Sequence, residues 1–242
     1  MIYVLFSPSE SKRGGGSSEK MRSLLFSLNR RSDIIDRYRQ IVISKDSDKI
    51  CDLFGLKSLA SAQKYLVDID SSQTLTALKR YSGVAYEHLD IETLLPEELE
   101  YLYSNTIIFS NLFGPIMGGD KIPIYKIKQT NKIGDIEPHT YYKKLFQDSL
   151  DDMLDSSEIL DLRAGYYKKF YSPKQIVTTC KFLKDGRVVS HYAKAYRGIM
   201  LRLLAQHRCT NIDELLALEI ETLQVERVVE SKKSREIVYS IV

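Results

Sequence analysis

Tryptophan is absent from the 242 residues, and only three cysteines and four histidines are present. The cysteines, Cys51, Cys180 and Cys209, are odd in number and far apart along the chain. A small secreted protein stabilised by disulfides has an even set of cysteines at closer spacing. We therefore expect reduced thiols and a cytoplasmic protein.

Long apolar runs are also missing. The first apolar run ends at Phe6 and no basic residue precedes it, whereas a signal peptide needs a basic start and about 7–15 apolar residues. No segment approaches the roughly 18 apolar residues that a membrane-spanning helix requires. We expect no membrane partner.

Metal-binding and nucleotide-binding motifs are absent as well. The histidines, His88, His139, His191 and His207, match neither HExxH nor the histidine–cysteine spacings of zinc sites. The glycines at 14–16 are not followed by the lysine of a Walker loop, so they favour a flexible loop. The sequence predicts no metal site and no cofactor.

Strand and helix patterns alternate along the chain. Runs rich in β-branched and aromatic residues predict strands at residues 2–6, 106–110, 122–128, 158–162, 175–181, 187–191, 224–230 and 235–242. Helical patterns predict helices at residues 19–28, 33–41, 48–54, 58–66, 75–80, 96–103, 139–153, 192–208 and 212–217. Because no linker or repeat divides this alternation, we expect one compact α/β domain over residues 1–242, a mixed β-sheet surrounded by helices.

Charge is distributed unevenly. Residues 163–208 contain eleven lysines and arginines against one acid, while residues 81–120 contain seven acids and no lysine or arginine. Residues 147–162 add six acids, again without a base. Such asymmetry predicts either a polyanionic partner for the basic segment or acidic and basic segments that neutralise each other.

The predicted helix 192–208 carries most of the functional signal. At about 100° per residue, Lys194, Arg197 and Arg202 fall broadly on one side. Leu201 and Leu204 lie among them, which is unusual for a face that only meets solvent. We interpret this side as the partly covered wall of a basic cleft.

Upstream of that helix, bases alternate with aromatic residues. Arg163, Lys168 and Lys169 stand beside the tyrosines and phenylalanine of residues 166–171. Cations for phosphates next to aromatic planes for bases are typical of nucleic-acid surfaces. The alternative is the edge of a core whose lysines reach outward into solvent.

A glycine between two short predicted helices, Gly55, faintly resembles a helix-hairpin-helix. That motif presents backbone N–H groups to a nucleic-acid phosphate, and Lys57 and Lys64 would assist it. An ordinary helical corner is the alternative. Ser7, which follows the first strand, stands where α/β proteins place ligand groups, or else satisfies backbone groups at the strand end.

Six segments in a fixed order carry a family resemblance. They are Ser7-Pro8, Tyr81-Ser-Gly83-Val-Ala-Tyr86, Asn111-Leu-Phe-Gly114, Pro123-Ile-Tyr125-Lys126, Ile159-Leu-Asp161-Leu162 and Ser190-His-Tyr192-Ala-Lys194-Ala-Tyr-Arg197-Gly198-Ile-Met200. Together they resemble the YaaA family of bacterial peroxide-stress proteins over nearly the full chain. The last segment is the most specific. The chain departs from the family pattern at Glu10, where the family has lysine, and at Ser82 and Val84 on either side of Gly83.

The resemblance implies a cytoplasmic protein of oxidative-stress defence whose compact α/β fold has a basic cleft suited to DNA. It also implies that the matching residues line this cleft: Ser7, Gly83, Tyr86, Tyr125, Lys126 and Asp161.

Our leading hypothesis is a monomeric DNA-binding protein of the peroxide-stress response. We expect its phosphate contacts at Lys57, Lys64, Arg163, Lys168, Lys169, Lys194, Arg197 and Arg202. An enzyme acting on a nucleotide or nucleic acid is the alternative, with Ser7, Asp161, Lys194 and Arg197 gathered at the strand ends. A third hypothesis is an acidic protein partner on the basic face.

Overall fold

The computed structural model describes residues 1–21 and 24–242, without the side chains of residues 190 and 191. Strands and helices alternate along this part of the chain. The strands are β1 (Ile2–Phe6), β2 (Thr74–Thr76), β3 (Thr106–Ser110), β4 (Gly114–Met117), β5 (Lys121–Pro123), β6 (Glu158–Asp161), β7 (Val177–Lys184), β8 (Arg187–Val188), β9 (Leu223–Glu230) and β10 (Ser234–Ile241). The α-helices are α1 (Ser32–Ile43), α2 (Ser47–Phe54), α3 (Ala77–Arg80), α4 (Val84–Leu89), α5 (Pro96–Asn105), α6 (Pro138–Leu154), α7 (Ser190–His207) and α8 (Ile212–Leu216).

A mixed eight-stranded sheet forms the centre of the molecule, in the order β4-β3-β1-β6-β7-β10-β9, with β8 beside β7. The strands β3, β1, β6, β7 and β10 run parallel, whereas β4, β8 and β9 pair antiparallel with their neighbours. Central parallel strands are covered on both faces, so they need continuous apolar runs. The runs of β1 and β3 meet this need, and the predicted α/β fold with a mixed sheet is confirmed.

The strand order places a topological switch point beside β1. The chain leaves β1 for β3 on one side of it and later reaches β6 on its other side. Connections that leave neighbouring strands in opposite directions open a crevice at the carboxyl ends of those strands. Here that crevice lies between the residues that follow Phe6 and those that follow Asp161.

Helix α7 closes one side of this crevice because it packs unusually close to α4. A Cβ atom on Gly198 would lie 1.9 Å from the carbonyl oxygen of Ala85, so only glycine permits this approach. Leu201 and Leu204 of the same helix are fully buried. This agrees with a covered helix wall, as the leucines among the bases predicted.

Several predicted elements need correction. The strand predicted at 187–191 ends at Val188, and α7 begins at Ser190. The helix predicted at 75–80 begins only at Ala77, since residues 74–76 form β2. The predicted helix at residues 19–28 is wrong for its described part, because the Leu25 N–H donates to the Asp120 carboxylate at 2.8 Å and Phe26 has a φ of 74°; residues 22 and 23 lie outside the described residues. The strand predicted at 122–128 ends at Pro123, which has no N–H to continue a ladder.

No α-helix in the described part of the chain is both long and apolar enough to span a membrane. Buried apolar side chains from Ile2 to Tyr239 form one contiguous cluster around the sheet.

Candidate nucleic-acid interface

A cavity of about 380 Å³ occupies the crevice at the switch point, and we call it the cleft. Its walls come from the chain after β1 and β6, the start of α4 and the N-terminal half of α7. The lining residues are Phe6, Ser7, Pro8, Ser9, Glu10, Ser82, Gly83, Val84, Ala85, Tyr86, Gln129, Leu162, Ala164, Tyr167, Lys194 and Arg197. The cleft therefore unites Ser7, Gly83, Tyr86, Lys194 and Arg197, which are far apart in sequence.

Ser7 connects the chain segments that meet at the base of the cleft. Its Oγ accepts the N–H of Ala164 at 2.8 Å, and its carbonyl oxygen accepts the hydroxyl of Tyr86 at 2.8 Å. The Ser7 hydroxyl therefore satisfies a backbone group across two strand ends, which was the structural interpretation of this residue.

Lys194 and Arg197 face the cleft from α7, one turn apart. Among the described residues, no carboxylate lies within 4.0 Å of either cation, and the Arg197 guanidinium makes no hydrogen bond. Burial lowers the pKa of Arg197, and the nearby charge of Asp161 partly offsets this effect. A half-buried guanidinium with unused donors is an open position for an anion.

Arg163 lies in the opposite situation. It is 2% exposed, and Asp161 is 6% exposed. The Nε and Nη2 groups of Arg163 donate to the two oxygens of Asp161, each at 2.9 Å, and Nη1 donates to the carbonyl oxygens of Tyr167 and Tyr171. The structure therefore removes Arg163 from the predicted DNA contacts, and it removes Asp161 from the lining of the cleft.

Arg202 also has an internal role. Its Nη1 donates to the carbonyl oxygens of Leu89 at 2.9 Å and Asp90 at 3.0 Å, so it fixes α7 against the end of α4. Lys174 pairs with Asp151 at 3.1 Å. The acidic and basic segments thus neutralise each other at these positions, and the predicted phosphate contact of Arg202 does not fit its position.

Two residues of the family resemblance lie behind the cleft. Tyr125 is 2% exposed, and its hydroxyl is 2.7 Å from the hydroxyls of both Tyr81 and Ser110. The Lys126 Nζ is 3.7 Å from the Glu10 carboxylate. Tyr125 and Lys126 therefore support the cleft wall without lining it.

Sequence reasoning missed Lys12, whose ammonium group is buried beneath the loop that lines the cleft. Its Nζ donates to the Ser9 carbonyl oxygen at 3.0 Å and lies 4.0 Å from the centre of the Tyr125 ring. Burial, together with the charge of Lys126, lowers the pKa of Lys12 well below 10.5. The signal in the sequence was the family lysine after Ser-Pro, where this chain has Glu10 and places a lysine two residues later.

A second depression, which we call the lysine groove, lies beside the cleft. It is a shallow depression of about 690 Å³ lined by His139, Thr140, Lys143, Lys144, Lys168, Lys169 and Ser172. The 3-10 helix Gly165–Phe170 joins the two surfaces, because its Tyr167 lines the cleft and its Lys168 and Lys169 line the groove. Lys143 and Lys144 were missed, since α6 and this helix become neighbours only in the fold.

The helix-hairpin-helix interpretation gains little support. Helix α2 ends at Gly55 with a φ of 64°, but the next element is the 3-10 helix Leu59–Tyr65 and not an α-helix. Lys57 and Lys64 are exposed and line neither the cleft nor the lysine groove. The geometry fits the helical corner better.

Neither Cys180 nor Cys209 offers a reactive thiolate to the site. Burial raises the pKa of Cys180 to about 12, and burial also raises the pKa of Cys209. Both thiols stay protonated at neutral pH, and the thiolate is the reactive form. In the described part of the chain, no three metal-ligating side chains come together.

The family described as "Peroxide stress protein YaaA" matches residues 1–228, and the chain belongs to this family. An uncharacterized protein of Campylobacter jejuni is 38% identical over 99% of both chains. A UPF0246 protein of Fusobacterium nucleatum is 25% identical over 96% of this chain and 97% of its own. A UPF0246 protein of Corynebacterium efficiens is 30% identical over 84% and 85%, respectively.

Proposed function

We propose that this protein binds DNA across the opening of the cleft as a cytoplasmic member of the peroxide-stress response. Lys194 and Arg197 contact phosphates, and the lysine groove extends the path of the backbone. The observation that carries the proposal is that Lys194 and Arg197 line the cleft together. In the described part of the chain, neither cation has a carboxylate within 4.0 Å.

Comparison with two arginines that are hydrogen-bonded within the protein shows why the lack of partners at Arg197 matters. In the same basic segment, Arg163 donates to protein oxygens through all three side-chain nitrogens, and Arg202 donates to two carbonyl oxygens through Nη1. A half-buried guanidinium without such partners loses hydration and gains no compensating contact. A phosphate oxygen supplies that contact as a charge-assisted hydrogen bond.

Phosphate contacts fix a protein on DNA but carry no base sequence. We therefore infer binding directed by DNA structure. Lys168 and Lys169 are exposed and join no ion pair among the described residues, so the lysine groove offers a second position for backbone phosphates, next to the cleft.

The contacts do not favour the enzyme alternative. A nucleophilic Ser7 would need a neighbouring base, yet its Oγ accepts the Ala164 N–H. Asp161 is bound by Arg163 through both oxygens, so it is not free to act as a base. Lys194 and Arg197 remain, and they bind anions without further groups.

The test is the double substitution Lys194→Gln with Arg197→Gln, compared with Lys232→Gln with Lys233→Gln. The control removes the same charge from the exposed turn between β9 and β10. We expect the cleft variant to fold normally and to lose about 1.5–3 kcal/mol of binding free energy per charged hydrogen bond. Affinity for a short duplex is measured by fluorescence anisotropy. If both variants lost the same binding free energy, the effect would come from net charge alone, and specific phosphate contacts in the cleft would be contradicted.

A further inference from the structure

The cleft contains a carboxylate that phosphate binding does not explain. Glu10 lies in its lining, and its charge repels a phosphate backbone. The carboxylate is nevertheless held in place, since one oxygen accepts the Gln129 N–H at 2.8 Å and the other lies 3.7 Å from Lys126 Nζ. A carboxylate fixed in this way has lone pairs left to accept a hydrogen bond from a ligand in the cleft.

Three kinds of surface meet in the cleft. Phe6, Tyr86 and Tyr167 line the cleft; they are 1%, 3% and 4% exposed, so each presents a small apolar area to it, and we call the three side chains the aromatic wall. Lys194 and Arg197 supply positive charge from α7, and Glu10 supplies an acceptor. A nucleotide has the matching three parts, namely an aromatic base, an anionic phosphate and a polar base edge.

The volume limits how much nucleic acid enters. At about 380 Å³, the cleft is near the lower end of the range of small-molecule pockets, roughly 300–1,000 Å³. A space of this size holds one nucleoside and excludes a segment of duplex. Entry of a base therefore requires that it leaves its stack.

We propose that the cleft receives one unstacked nucleotide of the bound DNA, with its phosphate at Lys194 and Arg197 and its base against the aromatic wall. The amino group of cytosine, adenine or guanine donates to Glu10. This inference rests on the proposed function and adds the class of DNA that is preferred. Thymine has no amino group and gives Glu10 no hydrogen bond.

Preference for already unpaired nucleotides follows from this arrangement. Removing a base from an intact duplex costs unpairing and unstacking free energy, and the cost is lowest where the base has no partner. A duplex with one bulged deoxycytidine should therefore bind more tightly than the same duplex fully paired.

The experiment compares short duplexes that are fully paired or contain one bulged deoxycytidine, thymidine or abasic residue. We expect bulged deoxycytidine to bind about a hundredfold more tightly than the abasic bulge, about tenfold from contact of the base with the aromatic wall and about tenfold from the hydrogen bond to Glu10. The affinity for bulged deoxycytidine should exceed that for bulged thymidine by about tenfold, and the substitution Glu10→Gln should reduce this ratio. Free deoxycytidine monophosphate should compete only weakly.

A pocket-filling variant gives the matched control. Val84 lines the cleft and is 44% exposed, so Val84→Trp adds bulk at the mouth without entering the core. It should make the deoxycytidine and abasic bulges bind equally. Val229→Trp, at a 48% exposed position on β9, four strands from β1, should keep the difference.

The outcomes separate the two proposals. Equal wild-type affinity for deoxycytidine and abasic bulges, with salt-dependent duplex binding, overturns base insertion and leaves the phosphate contacts standing. Equal affinity for free deoxycytidine monophosphate and the bulged duplex overturns the assignment to DNA. Duplex binding that is unaffected by the Lys194 and Arg197 substitutions overturns the proposed function itself.

Discussion

Arg163 and Arg197 belong to one basic segment, yet they lie in opposite environments. Arg163 is enclosed at the end of β6, where the Asp161 carboxylate and two carbonyl oxygens use its donors. Arg197 faces the cleft, and no such partner lies beside it among the described residues. The comparison shows that one stretch of positive charge serves two purposes, stabilising the corner after β6 and leaving donors free on α7.

The largest effect is expected at the enclosed corner. Arg163→Met leaves the Asp161 carboxylate buried without its partner, which should lower the free energy of unfolding by about 3–5 kcal/mol. Arg197→Met removes no hydrogen bond, so its effect on unfolding should stay under about 1 kcal/mol. Urea denaturation of both variants measures the difference. Equal losses of unfolding free energy in the two variants would contradict the different roles assigned to the two arginines.

The different environments of Arg163 and Arg197 could not be predicted from the sequence, because a count of charges does not distinguish an enclosed arginine from one that faces a cleft. The charge of residues 163–208 predicted a basic surface, and the helical spacing together with the family resemblance predicted Lys194 and Arg197 as residues of the cleft. The sequence did not predict that Arg163 bonds to Asp161, two residues earlier, because that pairing depends on the backbone conformation after β6, where the Arg163 N–H also donates to the Asp161 carboxylate.

Most of the fold followed from local pattern, since strands β1 and β3 and helices α6 and α7 each carry a long uniform signal. The failures lie where a tertiary contact decides. Leu25 donates to Asp120 across the fold, which overrides the helical preference of residues 24–28. The burial of the Lys12 ammonium group against Tyr125 and the close approach of Gly198 to Ala85 likewise depend on segments far apart in sequence.

The wall that carries Arg197 depends on Gly198. Gly198→Ala places a Cβ where the Ala85 carbonyl oxygen lies 1.9 Å away, so α7 must move from α4. We expect a loss of about 1–3 kcal/mol in stability from overpacking and weaker DNA binding. Gly165→Ala is the matched control, because its Cβ meets nothing within 4 Å. Thermal unfolding and anisotropy on both variants measure the two effects; wild-type binding by Gly198→Ala would argue against a role for helix spacing.

A smaller, pH-dependent effect is expected behind the cleft. The pKa of Lys12 is lowered in the folded state, mainly by burial, so the unfolded chain binds more protons at alkaline pH below 10.5. Stability contributed by this site therefore rises as pH rises toward 10.5, by at most about 1.4 kcal/mol per pH unit.

Lys12→Met should remove this slope. The measurement is the free energy of unfolding in urea from about pH 7 to 9.5, taken for the wild type and the variant. The difference, wild type minus variant, should increase with pH. A difference that stays flat would mean that Lys12 keeps its proton at its ordinary pKa.

The salt dependence of DNA binding tests the account most directly. Each phosphate neutralised contributes about 0.9 to the slope of log affinity against log salt concentration on duplex DNA. Replacing Lys194 and Arg197 with glutamine should therefore reduce the slope by about 1.8, while the Lys232 and Lys233 control keeps the wild-type value. Slopes that are equal in the wild type and the cleft variant would contradict phosphate binding by this pair.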